Sequence, residues 1–351
     1  MRIVTIVGAR PQFIKAAPVS RALRRSHCEV LVHTGQHYDH DMSGSFFDEL
    51  GIPAPDHMLT VGSASHGAQT GRMLERIEDV LIQERPDAVL VYGDTNSTLA
   101  GALAASKLHI PVVHVEAGLR SFDMRMPEEL NRILTDRISA LLLCPSGVAA
   151  SHLASEGIIR GVHVVGDVML DALLDARDRY DAHLLLERLL IQPGEYALAT
   201  IHRAENTDSP ARLAEIFAAF SDVDCAIVLP LHPRTRAVLQ KAGMELPSNV
   251  HVVPPFGYLE LVAVLANAAF VLTDSGGLQK EAYWLRVPCV TLRDTTEWSE
   301  TVDSGWNQVA GANRDTILDA VSRTRKPATS NDAYGIAGAS ARVVKAIEQL
   351  H

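Results

Sequence analysis

The fold is decided by residues 3–11, which read Ile3-Val4-Thr5-Ile6-Val7-Gly8-Ala9-Arg10-Pro11. A run that is apolar on consecutive positions, rather than on alternate ones, is typical of a parallel strand buried on both faces. The run ends at Gly8, and Pro11 suits the first position of a helix. These residues therefore predict a β-strand, a turn and an α-helix.

The same pattern recurs along the chain, with amphipathic helical stretches between short β-branched runs. The candidate strands are Ile3–Val7, Glu29–His33, Ala88–Tyr92, Val112–Val115, Leu141–Cys144 and His163–Val165, then Tyr196–Ile201, Cys225–Leu229, Val250–Val253, Phe270–Thr273 and Cys289–Leu292. This alternation predicts right-handed βαβ crossovers and two doubly wound, Rossmann-like α/β domains that face a cleft. We expect an N-terminal domain at residues 1–167, a C-terminal domain at 168–330 that opens with one long helix (Val168–Leu190), and a final helix within 331–351 that packs back on the first domain.

Composition and charge narrow the class of protein. The chain has 351 residues, of which 47% are hydrophobic and 21% charged, as expected for two soluble domains. The formal charge of −10 argues against binding to nucleic acid or to an anionic membrane. The four cysteines are widely separated and form no zinc motif, so we interpret them as buried thiols of a reducing, cytoplasmic compartment.

Ligands of open α/β sheets bind beyond the carboxyl ends of the strands, so residues that follow strands are the candidates for function. In the first domain, Arg10 and Lys15 flank a helix start that suits a diphosphate. An ordinary turn with two surface cations explains them equally well. The G-x-G-x-x-G fingerprint of dinucleotide binding is absent, which argues against a dehydrogenase.

Three acids of the first domain are candidate acid–base groups. Asp94 and Glu116 follow strands, and Glu128 begins a helix. Each also has a structural explanation. Asp94 could cap the next helix, Glu116 could pair with an arginine nearby, and an acid in a first helical turn is favoured by the helix dipole.

In the second domain, His202 and Arg203 follow its first strand, and His232 follows the next strand. The segment Ser275-Gly276-Gly277 joins a strand to a helix, which is the form of a backbone phosphate cradle. Glu281 lies one helical turn further on, where a carboxylate can hold the ribose hydroxyls. A plain tight turn is the structural alternative.

Together these motifs resemble the non-hydrolysing UDP-N-acetylglucosamine 2-epimerases. The resemblance runs in order over nearly the whole chain and is carried by Gly8-Ala9-Arg10-Pro11, Thr34-Gly35-Gln36-His37, Gly93-Asp94-Thr95, His114-Val115-Glu116-Ala117-Gly118-Leu119-Arg120, Pro127-Glu128-Glu129, Asn131-Arg132, Ser275-Gly276-Gly277 and Arg293-Asp294-Thr295-Thr296-Glu297.

The resemblance implies a GT-B type fold, a homodimer, and reversible conversion of UDP-GlcNAc to UDP-ManNAc for surface polysaccharide precursors. UDP would be eliminated to leave a glycal and then re-added, without NAD or a metal. By motif, Asp94, Glu116, Glu128 and His202 would be catalytic. The implied set for binding the UDP-sugar is Arg10, Lys15, Gln36, His37, Arg132, Arg203, His232, Phe256, Ser275, Gly276, Gly277, Glu281 and Arg293.

Departures from the family pattern leave alternatives open. Gln12 replaces a frequent glutamate, and residues 62–66 lack the Arg-Gln-Thr stretch that binds an activating second UDP-GlcNAc. Residues 297–302, together with residues 8–15, resemble the branch that acts on UDP-2,3-diacetamido-2,3-dideoxyglucuronate, which is therefore an alternative substrate. Other classes to be separated are a GT-B glycosyltransferase, a hydrolysing epimerase and a non-catalytic sugar-nucleotide sensor.

Overall fold

The structure, a computed structural model, describes residues 1–36, 47, 49–231, 233–327 and 332–350. The chain forms two compact units. The first comprises Met1–Asp175 together with Asp332–His351, and the second comprises Ala176–Asn331. No helix of the described ranges is long and apolar enough to cross a bilayer.

The first unit is built on parallel strands: β1 (Arg2–Val7), β2 (Cys28–His33), β3 (His57–Met58), β4 (Ala88–Tyr92), β5 (Val112–Val115), β6 (Leu141–Cys144) and β7 (Val162–Val164). Within the described residues they form one sheet in the order β3-β2-β1-β4-β5-β6-β7. Continuous apolar runs give strands that are buried on both faces, and all five residues of β4 are buried. The helices of this part of the chain are α1 (Arg10–Leu23), α2 (His66–Glu84), α3 (Asn96–Lys107), α4 (Pro127–Ile138), α5 (Gly147–Ser155) and α6 (Val168–Arg179).

The second unit repeats the plan with the strands β8 (Tyr196–Thr200), β9 (Ala226–Pro230), β10 (Val250–Val253), β11 (Phe270–Thr273), β12 (Cys289–Thr291) and β13 (Asn307–Val309). Their order in the described sheet is β10-β9-β8-β11-β12-β13, with parallel pairing. The helices are α7 (Ala182–Arg188), α8 (Ala204–Thr207), α9 (Pro210–Ser221), α10 (Pro233–Lys241), α11 (Tyr258–Ala266), α12 (Gly276–Trp284), α13 (Ser299–Asp303) and α14 (Arg314–Ser322).

The last helix, α15 (Ala339–Ile347), belongs to the first unit and packs against α1. Its start is held by Asp171, whose carboxylate accepts hydrogen bonds from the backbone N–H groups of Gly338 and Ser340, each at 2.7 Å. The predicted return of the C-terminal helix to the first domain is confirmed.

Both sheets reverse their strand order at one point. In the first sheet the reversal lies between β1 and β4, and in the second it lies between β8 and β11. Connections leave in opposite directions at such a point and open a crevice beyond the carboxyl ends of the two strands. The residues that follow β1, β4, β8 and β11 are therefore placed where ligands bind.

Several expectations need correction. The long helix predicted at Val168–Leu190 is two helices, because Asp181 accepts a hydrogen bond from the His183 N–H and caps a new helix. The compact units divide between Asp175 and Ala176 rather than at residue 167, since the start of α6 bonds to the first unit through Asp171 and through the Asp175–Arg21 ion pair. Of the four cysteines, Cys28 is exposed because it opens β2, and Cys225 is only half-buried.

Candidate active site

The first turn of the first unit is held by a buried glutamine. Gln12 Oε1 accepts hydrogen bonds from the Gly8 and Ala9 N–H groups at 2.8 and 3.1 Å, and its Nε2 donates to the Tyr92 carbonyl at 2.9 Å. An ionised glutamate could not make the last bond, so the amide ties the end of β1 to the end of β4. A Cβ on Gly8 would lie 2.1 Å from Thr34 Oγ1, which explains the glycine.

Lys15 and Glu116 form a largely buried ion pair at this edge of the sheet. Lys15 Nζ donates to Glu116 Oε2, and the two side chains are 13% and 12% exposed. Burial alone would lower the pKa of Lys15, but the charges of Glu116 and Asp94 outweigh it and raise that pKa. The ammonium group therefore stays charged, close to two carboxylates.

The backbone around Glu116 is adapted to this contact. Glu116 has a φ of +71°, in the left-handed region, and its N–H donates to the Leu143 carbonyl at 3.0 Å. Gly93 has a φ of +62°, and a Cβ there would lie 3.1 Å from Glu116 Oε2 and 3.3 Å from Lys15 Nζ. The glycine leaves space for the ion pair, and the strained glutamate is typical of a functional position.

Asp94 is oriented by Arg132 of α4. Arg132 donates from Nη2 to Asp94 Oδ2 and from Nη1 to Glu129 Oε2, both at 2.6 Å. Glu129 is buried and accepts from the Ser121 and Phe122 N–H groups at 2.9 and 3.0 Å. Arg132 thus fixes Asp94, and direct contact of Arg132 with a substrate stays a prediction.

The two neighbouring glutamates of α4 have different environments. Glu129 holds the preceding loop, whereas Glu128 is exposed in the first turn of the helix. Glu128 precedes Arg132 by four residues and so shares its helix face. Among the described residues no hydrogen bond or ion pair joins Glu128 to Asp94 or Glu116, and its convergence with them stays a prediction.

A buried network of charged and polar side chains, which the sequence motifs did not predict, lies next to Gly93. His114 contacts Asp136 Oδ1 through Nδ1 and the Gly93 carbonyl through Nε2, both at 2.7 Å. Burial would raise the pKa of Asp136, but His114 and Arg120 outweigh it and lower that pKa. His114 is the one polar residue of the otherwise apolar strand β5, and this was the sign in the sequence of a buried polar network. The network fixes Gly93, which precedes Asp94.

In the second unit, the Ser275 turn has the form of an anion cradle. Ser275 caps α12 by accepting from the Leu278 N–H at 3.4 Å. A Cβ on Gly276 would lie 2.5 Å from Glu297 Oε1, while a Cβ on Gly277 would meet only Ser275 Oγ, at 3.9 Å. Gly276 and Gly277 therefore bring no side chain to the first turn of α12, but Glu297 covers Gly276, and of the two only Gly277 is exposed as a site for an anion at the helix start.

His202 follows β8 and lies against Asp274, which follows β11. The imidazole Nδ1 is 3.2 Å from Asp274 Oδ1, and the His202 side chain is 49% exposed whereas Asp274 is fully buried. Arg203, the N-cap residue of α8, is exposed. The reversal point of the second sheet thus presents a histidine beside the Ser275 turn.

The remaining predicted binding residues are placed as follows. Gln36 Oε1 accepts from the Ser97 N–H and hydroxyl at 3.1 and 2.7 Å, and Arg293 pairs with Glu297 at 2.8 Å. Arg10 is exposed at the start of α1, Phe256 is half-buried against the apolar core, and Glu281 is buried within α12. His37 and His232 lie outside the described residues, within which no group of three metal-ligating side chains occurs.

Two doubly wound parallel sheets with polar groups at their reversal points define an α/β protein with two Rossmann-like domains. A family model described as UDP-N-acetylglucosamine 2-epimerase matches residues 21–348. The chain belongs to this family, as the sequence predicts. Its two parallel-sheet α/β domains also agree with the GT-B-like fold class.

Individual relatives support the assignment. A UDP-2,3-diacetamido-2,3-dideoxy-D-glucuronate 2-epimerase of Pseudomonas aeruginosa is 51% identical over 360 residues, covering 100% of both chains. A UDP-N-acetylglucosamine 2-epimerase of Methanocaldococcus jannaschii is 45% identical over 335 residues, covering 92% of this chain and 91% of the relative. A crystal structure of the M. jannaschii UDP-GlcNAc 2-epimerase with UDP-GlcNAc and UDP superposes with a TM-score of 0.87 at 41% identity, covering 99% of each chain.

Proposed function

We propose that this chain catalyses the reversible C2 epimerisation of UDP-GlcNAc to UDP-ManNAc by eliminating and re-adding UDP. The observation that carries the proposal is the cluster of Asp94, Glu116 and the Lys15 ammonium group at the reversal point of the first sheet. An NAD-dependent route has no support in the sequence, which lacks the dinucleotide fingerprint.

The acid–base groups fit this chemistry. The C2 proton of the sugar is weakly acidic, so its removal needs a positioned carboxylate. Return of a proton to the opposite face needs a second acid, and Asp94 and Glu116 supply two carboxylates with different partners, Arg132 and Lys15. In the proposal Glu128 is a third carboxylate of the same reaction.

UDP must be held as it leaves and returns. We assign the diphosphate to the Ser275-Gly276-Gly277 turn, whose backbone N–H groups stabilise the developing negative charge. Glu281 would hold the ribose hydroxyls, with Arg10, Arg203 and Arg293 as cations for the nucleotide. His202 would act as the catalytic histidine of the second unit.

The alternative substrate is UDP-2,3-diacetamido-2,3-dideoxyglucuronate, favoured by the 51% identical relative named for it. Both substrates are incubated separately with the enzyme, and the anomeric protons are followed by NMR. We expect a gluco–manno mixture from UDP-GlcNAc with little free sugar. Conversion of the diacetamido uronate alone would reassign the substrate, release of free ManNAc would indicate a hydrolysing enzyme, and no conversion of either would defeat the proposal.

We also propose a homodimer in the cytoplasm. Met126, the N-cap residue of α4, and Leu130 and Leu134 within the helix are 39%, 43% and 50% exposed and recur every fourth residue, forming an apolar stripe. Light scattering is expected to give twice the chain mass of 38.1 kDa for the natural protein and the monomer mass for a Leu130→Glu/Leu134→Glu variant. A monomeric natural protein would contradict the dimer. The free cysteines favour a reducing compartment, which fractionation of the source cells tests.

A further inference from the structure

Asp274 is a fully buried carboxylate at the end of β11, with donors on both of its oxygens. The His202 N–H lies 3.1 Å from Oδ1 and 3.0 Å from Oδ2, the Arg203 N–H lies 3.0 Å from Oδ2, and Asn206 Nδ2 lies 3.1 Å from Oδ2. These bonds fold the chain after β8 around the carboxylate. They account for the buried charge without any further partner.

The imidazole of His202 adds a contact that the fold does not require. Its Nδ1 lies 3.2 Å from Asp274 Oδ1, although half of the ring is exposed to solvent. A carboxylate can only accept, so this contact favours a proton on Nδ1. In the neutral ring, Nε2 is then the basic nitrogen.

We propose that Asp274 is a positioning residue that fixes the orientation and the Nδ1–H tautomer of His202, so that Nε2 is the nitrogen that exchanges a proton with the bound UDP-sugar. The assignment of a reactive role to His202 rests on the proposed function. The contact between the ring and Asp274 lies within the second unit and does not depend on that function.

Asp274→Asn separates the charge from the packing. An asparagine has the same shape, and its oxygen can still accept from the Arg203 N–H and from Asn206. Its amide N–H₂ would face Nδ1 of His202 as a donor and so favour the opposite tautomer, with the proton on Nε2; it would also replace the Oδ1 acceptor of the His202 N–H, which keeps its bond to the other oxygen. Asn206→Ala is the control, because it removes one bond to the same carboxylate, together with the Asn206 bonds to the Leu292 carbonyl and to Arg212, and leaves the imidazole contact in place.

Two readouts test the proposal. The first is the ¹⁵N NMR spectrum of histidine-labelled protein, recorded well above the ordinary imidazole pKa of about 6.5, with the His202 signals assigned by their loss in His202→Gln. We expect protonated Nδ1 in the natural protein and in Asn206→Ala, and protonated Nε2 in Asp274→Asn.

The second readout is kinetic. We expect kcat of Asp274→Asn to fall about 100-fold or more, within the range that general acid–base catalysis contributes, with KM nearly unchanged. Asn206→Ala should lower the Tm with kcat kept within about threefold, since acid–base groups are untouched. Equal losses of kcat in the two variants at equal Tm, or an unchanged His202 tautomer in Asp274→Asn, would overturn the proposal. A tautomer switch in a protein that epimerises no UDP-sugar would support the positioning role and refute the proposed function.

Discussion

Glu116 occupies a left-handed backbone conformation that costs a residue with a side chain about 1–2 kcal/mol. The strain places its carboxylate against Lys15 at the end of β5. Strain that is retained at a buried ion pair supports the catalytic role proposed for Glu116.

Replacing Glu116 with glutamine removes the base and keeps the shape. We expect Glu116→Gln to lower kcat by about 100-fold or more, because a positioned base contributes at least that much, while UDP binds nearly as before. Kinetics and calorimetric titration with UDP measure the two effects. An equal loss of UDP affinity would make Glu116 a structural residue.

Gly93 is the residue that leaves room for this pair. Gly93→Ala must hold an alanine at a φ of +62° with its Cβ close to Glu116 and Lys15, so we expect a loss of about 1–2 kcal/mol in the free energy of unfolding together with lower kcat. Urea denaturation and kinetics measure both. Gly71→Ala, where a Cβ meets open space on α2, is the control and should be neutral or stabilising. Equal changes in stability and kcat in the two variants would contradict the claim that Gly93 leaves room for the Lys15–Glu116 pair.

The candidate residues could be found from sequence because ligand groups follow strands, and Asp94, Glu116, His202 and Ser275 all do. Their partners could not be found, because Lys15 and Glu116 are 101 positions apart and only the sheet order brings them together. Arg132 was assigned to substrate from its motif. Its contact with Asp94 depends on how α4 packs, which periodicity does not specify.

At the scale of single elements, β2 ends in a buried histidine. His33 packs between Phe13 and Phe47, with ring centroids 5.0 and 5.9 Å away, and its Nδ1 accepts from the Gly35 N–H at 2.8 Å. Burial lowers the pKa of His33 to about 4. Between about pH 4 and pH 6.5, the ring therefore stays neutral in the folded protein, whereas it is protonated in the unfolded chain.

This pKa shift predicts a pH dependence of stability. The contribution of His33 is fully present above about pH 6.5 and is lost as the pH falls toward 4, because only the unfolded chain takes up the proton in that window. Going from pH 7 to pH 5 should cost about 2 kcal/mol from this residue. Urea unfolding of the natural protein and of His33→Gln at both pH values measures the difference, and an equal pH effect in both would contradict it.

The central strands were predictable, since buried parallel strands are continuous apolar runs. The edge strands β3 and β13 were not, because His57-Met58 and Asn307-Gln308-Val309 each contain a single apolar residue and so form no apolar run. The break after α6 was missed for a similar reason. The helical spacing of apolar residues continues past the end of α6 at Arg179. Only the cap at Asp181 marks the start of a new helix.

At the scale of the whole molecule, the chain completes its first unit with its last residues. Asp171 and α15 are far apart in sequence, and the Asp171 carboxylate satisfies two backbone N–H groups at the start of that helix. Two α/β units could be predicted from the restart of the strand pattern. The point of division could not, because it depends on these contacts between distant segments.

Removing the Asp171 carboxylate should weaken the attachment of α15 to the rest of the first unit. We expect Asp171→Ala to cost about 1–3 kcal/mol in the free energy of unfolding, since two partly buried donors lose their acceptor. Asp178→Ala, which removes only a surface ion pair with Arg177, should change stability by less than about 1 kcal/mol. Urea denaturation compares them, and equal effects would show that Asp171 does not hold the C-terminal helix.

The central claim is that the carboxylates of the first unit remove and return the proton at C2 of a UDP-sugar. Incubation of the natural protein with UDP-GlcNAc in D₂O, followed by mass spectrometry and NMR of the recovered nucleotide sugars, tests it directly. We predict one deuterium, located at C2, in both UDP-GlcNAc and UDP-ManNAc. Epimerised product that retains protium at C2, or recovery of UDP-GlcNAc without deuterium and without any UDP-ManNAc, would contradict the claim.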